Sequence, residues 1–444
     1  MPLVDEGLGN SSYLVDLGDG RALAVDPSRD LRAMRSAARR HRLRIVFAAD
    51  THLHADFLTG ARELAVSEGS KILASAAGGR DYDHHALRDG DEVDLGGLRL
   101  HTLTTPGHTD EHVSFVLLDG KAPVGVFTGG SLIVGSAART DLVSPDRTAA
   151  LAHAQYASLR RLATLPDEVL VWPTHGAGSF CSSPAGVDRT STIGQERVTN
   201  PLLQHLDEDA FVAALIGSLG SYPPYFGYLG EINRRGPALV DPTLGLDPIG
   251  VQRVATLHDV GAVIVDVRPI NAYAVGHIRR SLSIELRDGF ATWLGWLVPF
   301  GVAPVVVRDF DQDPTEIAWQ AAKIGYTFAG ELDGGIASWS AAGLPTVATR
   351  LVMPSDVERM QVLDVRQRDE YAAGHLPGAR HVELGDLAAD ASAVREATMV
   401  MCGHGQRAMS AASVIEHAGG APVAVLLGGP TEWSRTHGRP LETG

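Results

Sequence analysis

The sequence predicts an α/β fold throughout, and three observations carry that reading. Short apolar runs alternate with helical stretches along the C-terminal half, the pattern of parallel sheets covered by helices. A block of about 100 residues occurs twice there, so that half holds two copies of one unit. In the N-terminal half, histidines follow apolar runs directly, at the strand C-terminal edges where sites of layered α/β folds gather.

The 444 residues allow about three domains at roughly 150 residues each. Hydrophobic residues make up 44% and charged residues 20% of the chain, globular values that exclude disorder, collagen and coiled coil. A formal charge of -15 repels a phosphate backbone, so no nucleic-acid partner is expected. The two cysteines, Cys181 and Cys402, build no disulfide framework, and the cytoplasm is the expected compartment. Met1 to Gly7 lacks the features of an export signal. Residues 290–307 approach membrane length, but Pro299, Gly301 and Pro304 interrupt them. They read as a buried helix end, a loop and a strand, and no membrane partner is expected.

In chain order, Ser12 to Val15 and Ala22 to Val25 read as strands joined at Gly18-Asp19-Gly20. Residues 30–43 read as a helix whose arginines form a solvated face. Arg44 to Ala49 reads as a strand that delivers Asp50 and the residues after it to a sheet edge. Tyr222-Pro-Pro-Tyr225, Gly236-Pro237 and Asp247-Pro248 mark a linker. The predicted domains are 1–220, a linker at 221–250, then 251–348 and 349–444. The repeat sets the last two. Val265-Asp266-Val267-Arg268, Tyr273 and Gly276-His277-Ile278 recur 98 residues on as Leu363-Asp364-Val365-Arg366, Tyr371 and Gly374-His375-Leu376. Gly334-Gly335 with Trp339 recur 94 residues on as Gly428-Gly429 with Trp433.

His52 and His54 stand two residues apart, on one side of an extended segment, and can share an ion. His108 in Thr105-Pro-Gly-His-Thr109 and His175 in Trp172-Pro-Thr-His-Gly176 each follow an apolar strand beside a turn. Cys181 lies in the small-residue loop 176–184, near His175, where it could receive sulfane sulfur. This order of residues resembles the metallo-β-lactamase superfamily. The block from Asp50 to Ala65, with Phe127-Thr-Gly129, Arg139-Thr-Asp-Leu142 and residues 191–201, is similar to the persulfide dioxygenases within it.

That resemblance implies an αββα sandwich and a metal held by two histidines and an aspartate. His52 and His108 take the histidine positions, but the aspartate is replaced by Gly130 and the last histidine of H-x-H-x-D-H by Phe57. The donors expected to remain are His52, His54 and His108, with Asp56 and His175 as remnants of a second site. The expected cofactor is one zinc or iron ion, or none. Asp110 or Glu111 could stand in for the lost carboxylate.

In the last domain, Thr398 to Met401 reads as a strand and Ala408 to His417 as a helix. Cys402, Gly403, His404, Gly405, Gln406 and Arg407 form the loop between them. Backbone amides and a helix N-terminus converge on the sulfur there, and their partial positive charge favours a thiolate and an anionic persulfide. Arg407 is placed to hold an anionic donor. With Glu370-Tyr371, Gly374-His-Leu-Pro-Gly-Ala379 and Trp433, this segment resembles a rhodanese domain. The offset of 94 puts Arg308 where the first copy would need its cysteine, so that copy is expected to pack or dock.

The function expected is rhodanese-type sulfur transfer through a Cys402 persulfide, beside a persulfide-dioxygenase-like domain whose oxidation chemistry Gly130 puts in doubt. Thiosulfate and low-molecular-weight thiols or persulfides are the expected partners, and a homo-oligomer is compatible with the sequence. Two alternatives stay open: zinc-dependent hydrolysis of a thioester-like substrate, and a non-catalytic sulfur sensor or scaffold.

Overall fold

A computed structural model describes all residues except 183–187, 205–206, 242, 358–360 and 388–398. Ser183 and Pro184 of the Cys181 loop, and Thr398 of the strand before Cys402, lie outside the described residues. The chain forms two compact units, one of residues 1–242 with 322–325 and one of the remainder. Among the described residues no helix is long and apolar enough to cross a membrane.

The first unit is the expected αββα sandwich. One six-stranded sheet runs in chain order through Pro2–Asp5, Asn10–Asp16, Arg21–Val25, Arg44–Asp50, Lys71–Ser75 and His85–Leu87. The other runs Ser191–Thr192, Leu170–Pro173, Ala122–Gly129, Val113–Asp119, Leu98–Thr104 and Glu92–Asp94. Strand periodicity explains why both faces of the first sheet are covered. Leu14, Ala22, Ala24 and Ala48 point to the helices Arg32–Arg40 and Ala61–Glu68. Their neighbours Tyr13, Leu23, Val25 and Ala49 point to the second sheet and meet Phe115, Leu117 and Phe127.

Residues 221–250, expected as a linker, hold the helix Phe226–Arg235, and the first unit runs to Pro242. Phe226, Leu229 and Asn233 are buried at the i, i+3, i+7 spacing of one helix face. Burial of that face makes the stretch part of the fold and not a bare connector. Tyr222-Pro-Pro-Tyr225 lies before the helix, and Tyr225 is itself buried.

The second unit holds the two repeats, each a five-stranded parallel sheet. The first is ordered Pro248–Ile249, Gly330–Leu332, Val305–Val307, Ile264–Asp266, Leu282–Ser283. The second has the same order: Leu351–Val352, Ala424–Leu426, Met399–Met401, Val362–Asp364, Arg380–His381. The central strands are buried on both faces, which explains their unbroken apolar runs. The apolar stretch expected at 290–307 is a fully buried helix, Phe290–Leu297, then a loop and the strand Val305–Val307.

The first copy is docked on the helix Gln406–His417, which follows Cys402 in the second. Ser410 Oγ donates to Ser283 O at 2.6 Å, and Ser283 N donates to Ser413 Oγ at 3.0 Å. Arg280 N donates to Glu416 at 2.7 Å.

Candidate functional site

Three strands of the first unit bring polar side chains to one edge, and a fourth ends there at a glycine. Arg44–Asp50 ends at Thr51 and His52, Leu170–Pro173 at Thr174 and His175, Arg21–Val25 at Asp26, and Ala122–Gly129 at Gly130. His108 and His112 lie on the loop between Leu98–Thr104 and Val113–Asp119. No ring of the five, His52, His54, His108, His112 and His175, is more than 1% exposed. His112 belongs to this cluster and was not foreseen; its spacing of four from His108 was the available signal.

Hydrogen bonds at the rear of three rings fix their tautomers. His108 Nδ1 donates to Arg139 O at 2.7 Å, which leaves Nε2 bare, buried and without a partner. Thr51 Oγ1 donates to Asp26 and so accepts from His52 Nδ1 at 2.8 Å. Asn10 Nδ2 donates to Asp56, which leaves its Oδ1 to accept from His175 Nδ1 at 2.9 Å. His52 Nε2 and His175 Nε2 therefore face each other as lone pairs 3.3 Å apart. His112 is different: Gly130 N donates to its Nε2 and its Nδ1 bonds Thr105, so both nitrogens are used.

Burial, reinforced by mutual repulsion, keeps these imidazoles neutral. His108 and His175 are each pushed down to about 3, and His52 and His112 well below the usual value. Burial also lowers His54, but Asp26, 3.2 Å from its Nε2, outweighs that and holds it raised. His54 Nδ1 is buried without a hydrogen-bond partner among the described residues, and ligand nitrogens of His52, His54 and His175 lie within 4.8 Å of one another. His54 Nε2 is paired with Asp26, and its ring stacks on Phe57 at 4.1 Å. Phe57, where the family motif has a histidine, is buried at the same wall. His175 joins His52 and His54 at this edge.

The donor set fits zinc and does not fit an iron(II) triad. Two nitrogens 3.3 Å apart match the spacing of imidazoles around a tetrahedral zinc with bonds of roughly 2.0–2.1 Å. An iron triad needs a carboxylate, and the position that carries it in the family motif is Gly130. A Cβ on Gly130 would meet His108 Cδ2 at 2.5 Å, so the ring fills the space an aspartate would need. Asp110 is paired with Arg147 at the surface, and Glu111 accepts from Leu53 N. Asp56 contacts the Nδ1 edge of His175, at 3.5 Å. Burial raises Asp56, and burial with the nearby Asp56 charge raises the Cys181 thiol.

The Cys402 loop takes the expected form. Met399–Met401 leads into the loop and Gln406–His417 leaves it, with Gly405 at the helix N-cap. Gly405 N donates to Cys402 Sγ at 3.1 Å. Gly405 sits at φ +101, where side chains are strained, so glycine is required for this curl. Gln406 begins the helix. Arg366, Gly403, His404, Glu432 and Arg435 line a cavity of about 510 Å³ beside the loop.

Arg407 does not reach toward a donor. Nη1 and Nη2 bind the two Glu370 oxygens at 2.5 and 2.8 Å. Burial raises Glu370, but these bonds outweigh it and hold the carboxyl below its usual range. The guanidinium is held in a bidentate pair that braces the loop, and Arg366 and Arg435 are the cations that line the cavity.

The fold and these two sites define a metallo-β-lactamase sandwich followed by paired rhodanese domains. The metallo-β-lactamase superfamily profile matches residues 5–175, and the rhodanese-like domain profile matches 252–342 and 348–436. The persulfide dioxygenase ETHE1 of Bos taurus is 32% identical over 43% of this chain and 71% of its own length. That of Homo sapiens is 34% identical over 36% of this chain and 58% of its own. A crystal structure titled metallo-beta-lactamase from Staphylococcus aureus covers 74% of this chain and 97% of that one, with 29% identity and a TM-score of 0.66. The chain belongs to the persulfide dioxygenase family, as a fusion with two rhodanese-like domains.

Proposed function

We propose that the chain is a sulfurtransferase of sulfane-sulfur metabolism, with Cys402 as its catalytic nucleophile. The observation that carries this reading is the amide of Gly405 aimed at Cys402 Sγ from the start of a helix. A donor such as thiosulfate is attacked at its outer sulfur by the Cys402 thiolate. The S–S bond of the donor breaks, sulfite leaves with the bonding pair, and a Cys402 persulfide forms. A low-molecular-weight thiolate then attacks the terminal sulfur, takes it as a persulfide and restores the Cys402 thiolate.

Gly403, His404, Gly405 and Gln406 form the cradle, in which inward N–H dipoles stabilise sulfur anions. Arg407 holds the loop through Glu370, and Arg435 attracts the donor's anionic end. In the first unit, His52, His54 and His175, whose ligand nitrogens lie within 4.8 Å of one another, would hold a zinc ion, which when bound supplies a Lewis acid. His54, neutralising Asp26, serves that pocket by fixing Asp26 and through it Thr51 and His52.

Intact-mass analysis after incubation with thiosulfate tests the reading. The wild-type chain is expected to gain one sulfur atom on Cys402, removable by a reductant. A chain that gains none, or that gains it on Cys181 alone, would overturn the assignment.

A further inference from the structure

The carboxylate missing at position 130 leaves an unmet demand in the first unit, and a side chain from elsewhere meets it. Cys181 is fully buried, and its Sγ lies within 4.8 Å of ring nitrogens of His108 and His175, which lie equally close to each other. His108 Nε2 is buried, unpartnered and fixed as a lone pair by its bond to Arg139 O. The same Arg139 donates its N–H to Cys181 O at 2.9 Å, within a bridge between Ala138 and Ser182. One short backbone pairing therefore sets both the histidine and the thiol. Ser179 Oγ accepts from Cys181 N at 3.2 Å and fixes the loop from the other side.

We infer that Cys181 is a thiolate ligand in a metal site with His108 and His175, in place of the carboxylate lost at Gly130. The inference rests on reading the first unit as a metal domain and is independent of sulfur transfer at Cys402. A buried thiol beside two neutral imidazoles is a soft, nitrogen-and-sulfur donor set. It selects zinc over iron(II), because thiolate and imidazole both suit zinc and zinc is the tighter binder in the divalent series. Binding expels the thiol proton to solvent, so one proton is released per ion bound by this ligand.

X-ray absorption at the zinc edge tests this on the full-length Cys402→Ser chain loaded with one equivalent of zinc. Cys181 is then the chain's one thiol. One sulfur scatterer at about 2.3 Å, with nitrogen neighbours at roughly 2.0–2.1 Å, is expected. A shell of nitrogen and oxygen alone would overturn the thiolate while leaving a metal domain standing. Failure to retain zinc would overturn both. In a second arm, Cys181→Ser should weaken zinc binding by at least about 100-fold, more than loss of an outer-shell partner costs. Unchanged affinity in a folded variant would sink the inference.

Discussion

The two rhodanese-like copies share a scaffold down to individual bonds, and they differ where chemistry is decided. In the first, Arg268 binds Asp266 and Gly276 O, and Tyr273 stacks on His277 at 3.8 Å. In the second, Arg366 binds Asp364 and Gly374 O, and Tyr371 stacks on His375 at 3.7 Å. After the central strand the copies part. The second turns amides inward, with Gly405 N on Cys402 Sγ. The first turns carbonyls inward: Arg308, paired with Glu331, donates Nη1 to the carbonyls of Asp309, Phe310 and Gln312. One loop is polarised for an anion and its counterpart for a cation. The cradle is a property of the loop, and the surrounding scaffold tolerates either sign.

The largest expected effect breaks this contrast at the sulfur. Cys402→Ser should lower thiosulfate-dependent sulfur transfer to cyanide at least about 10³-fold, since loss of a nucleophile removes the covalent route. Residual transfer near the wild-type rate would mean that Cys181 carries sulfur. Adding Arg308→Cys to that variant should restore less than about 1% of the rate, because carbonyls, not amides, would face the new thiol. Substantial recovery would show that scaffold alone suffices.

A smaller effect separates bracing from donor binding. Glu370→Gln leaves Arg407 buried with a neutral partner, and a stability loss of about 1–3 kcal/mol is expected in denaturant melts. Its rate should fall with little change in the KM for thiosulfate. A KM rise with unchanged turnover would return Arg407 to donor binding. The same pair gives a pH signature. The folded carboxyl of Glu370 lies below the ordinary value of 4.5, so its stabilisation is present above that pH and lost as pH falls through the depressed value. Wild type should lose its Tm advantage over Glu370→Gln below about pH 4.5, and an advantage that persists in stronger acid would refute the sign.

The smallest effect lies at the mouth. Arg435→Ala should raise the KM for thiosulfate roughly 3- to 10-fold with turnover within about twofold, as for loss of one exposed charge contact. An unchanged KM would remove that arginine from donor capture.

Much of this was legible before any coordinates. The 98-residue offset revealed the twin sheets, the 94-residue offset already set Arg308 against Cys402, and histidines at strand ends marked the pocket. Tertiary effects were not legible. The pairing of His54 Nε2 with Asp26, 28 residues away in sequence, has no signal in residue spacing. Arg407 reads as an anion binder until Glu370 takes both its terminal nitrogens. Residues 221–250 read as a linker because prolines and glycines surround a helix whose single buried face spans only Phe226 to Asn233. Loss of the carboxylate at 130 was visible, but the imidazole occupying its space was not.

The serine ladder between the copies carries an inheritance constraint. Ser283 gives both its N–H and its carbonyl to the helix that starts at the reactive thiol. Deleting the copy without a cysteine would strand the Ser410 hydroxyl and bare a helix face that is otherwise buried. A lineage that discards the unreactive copy therefore has to rebuild the surface of the reactive one at the same time. The duplicate persists as a fixed half of a pair, and mutations that reach sulfur transfer can arise in a segment that never touches sulfur.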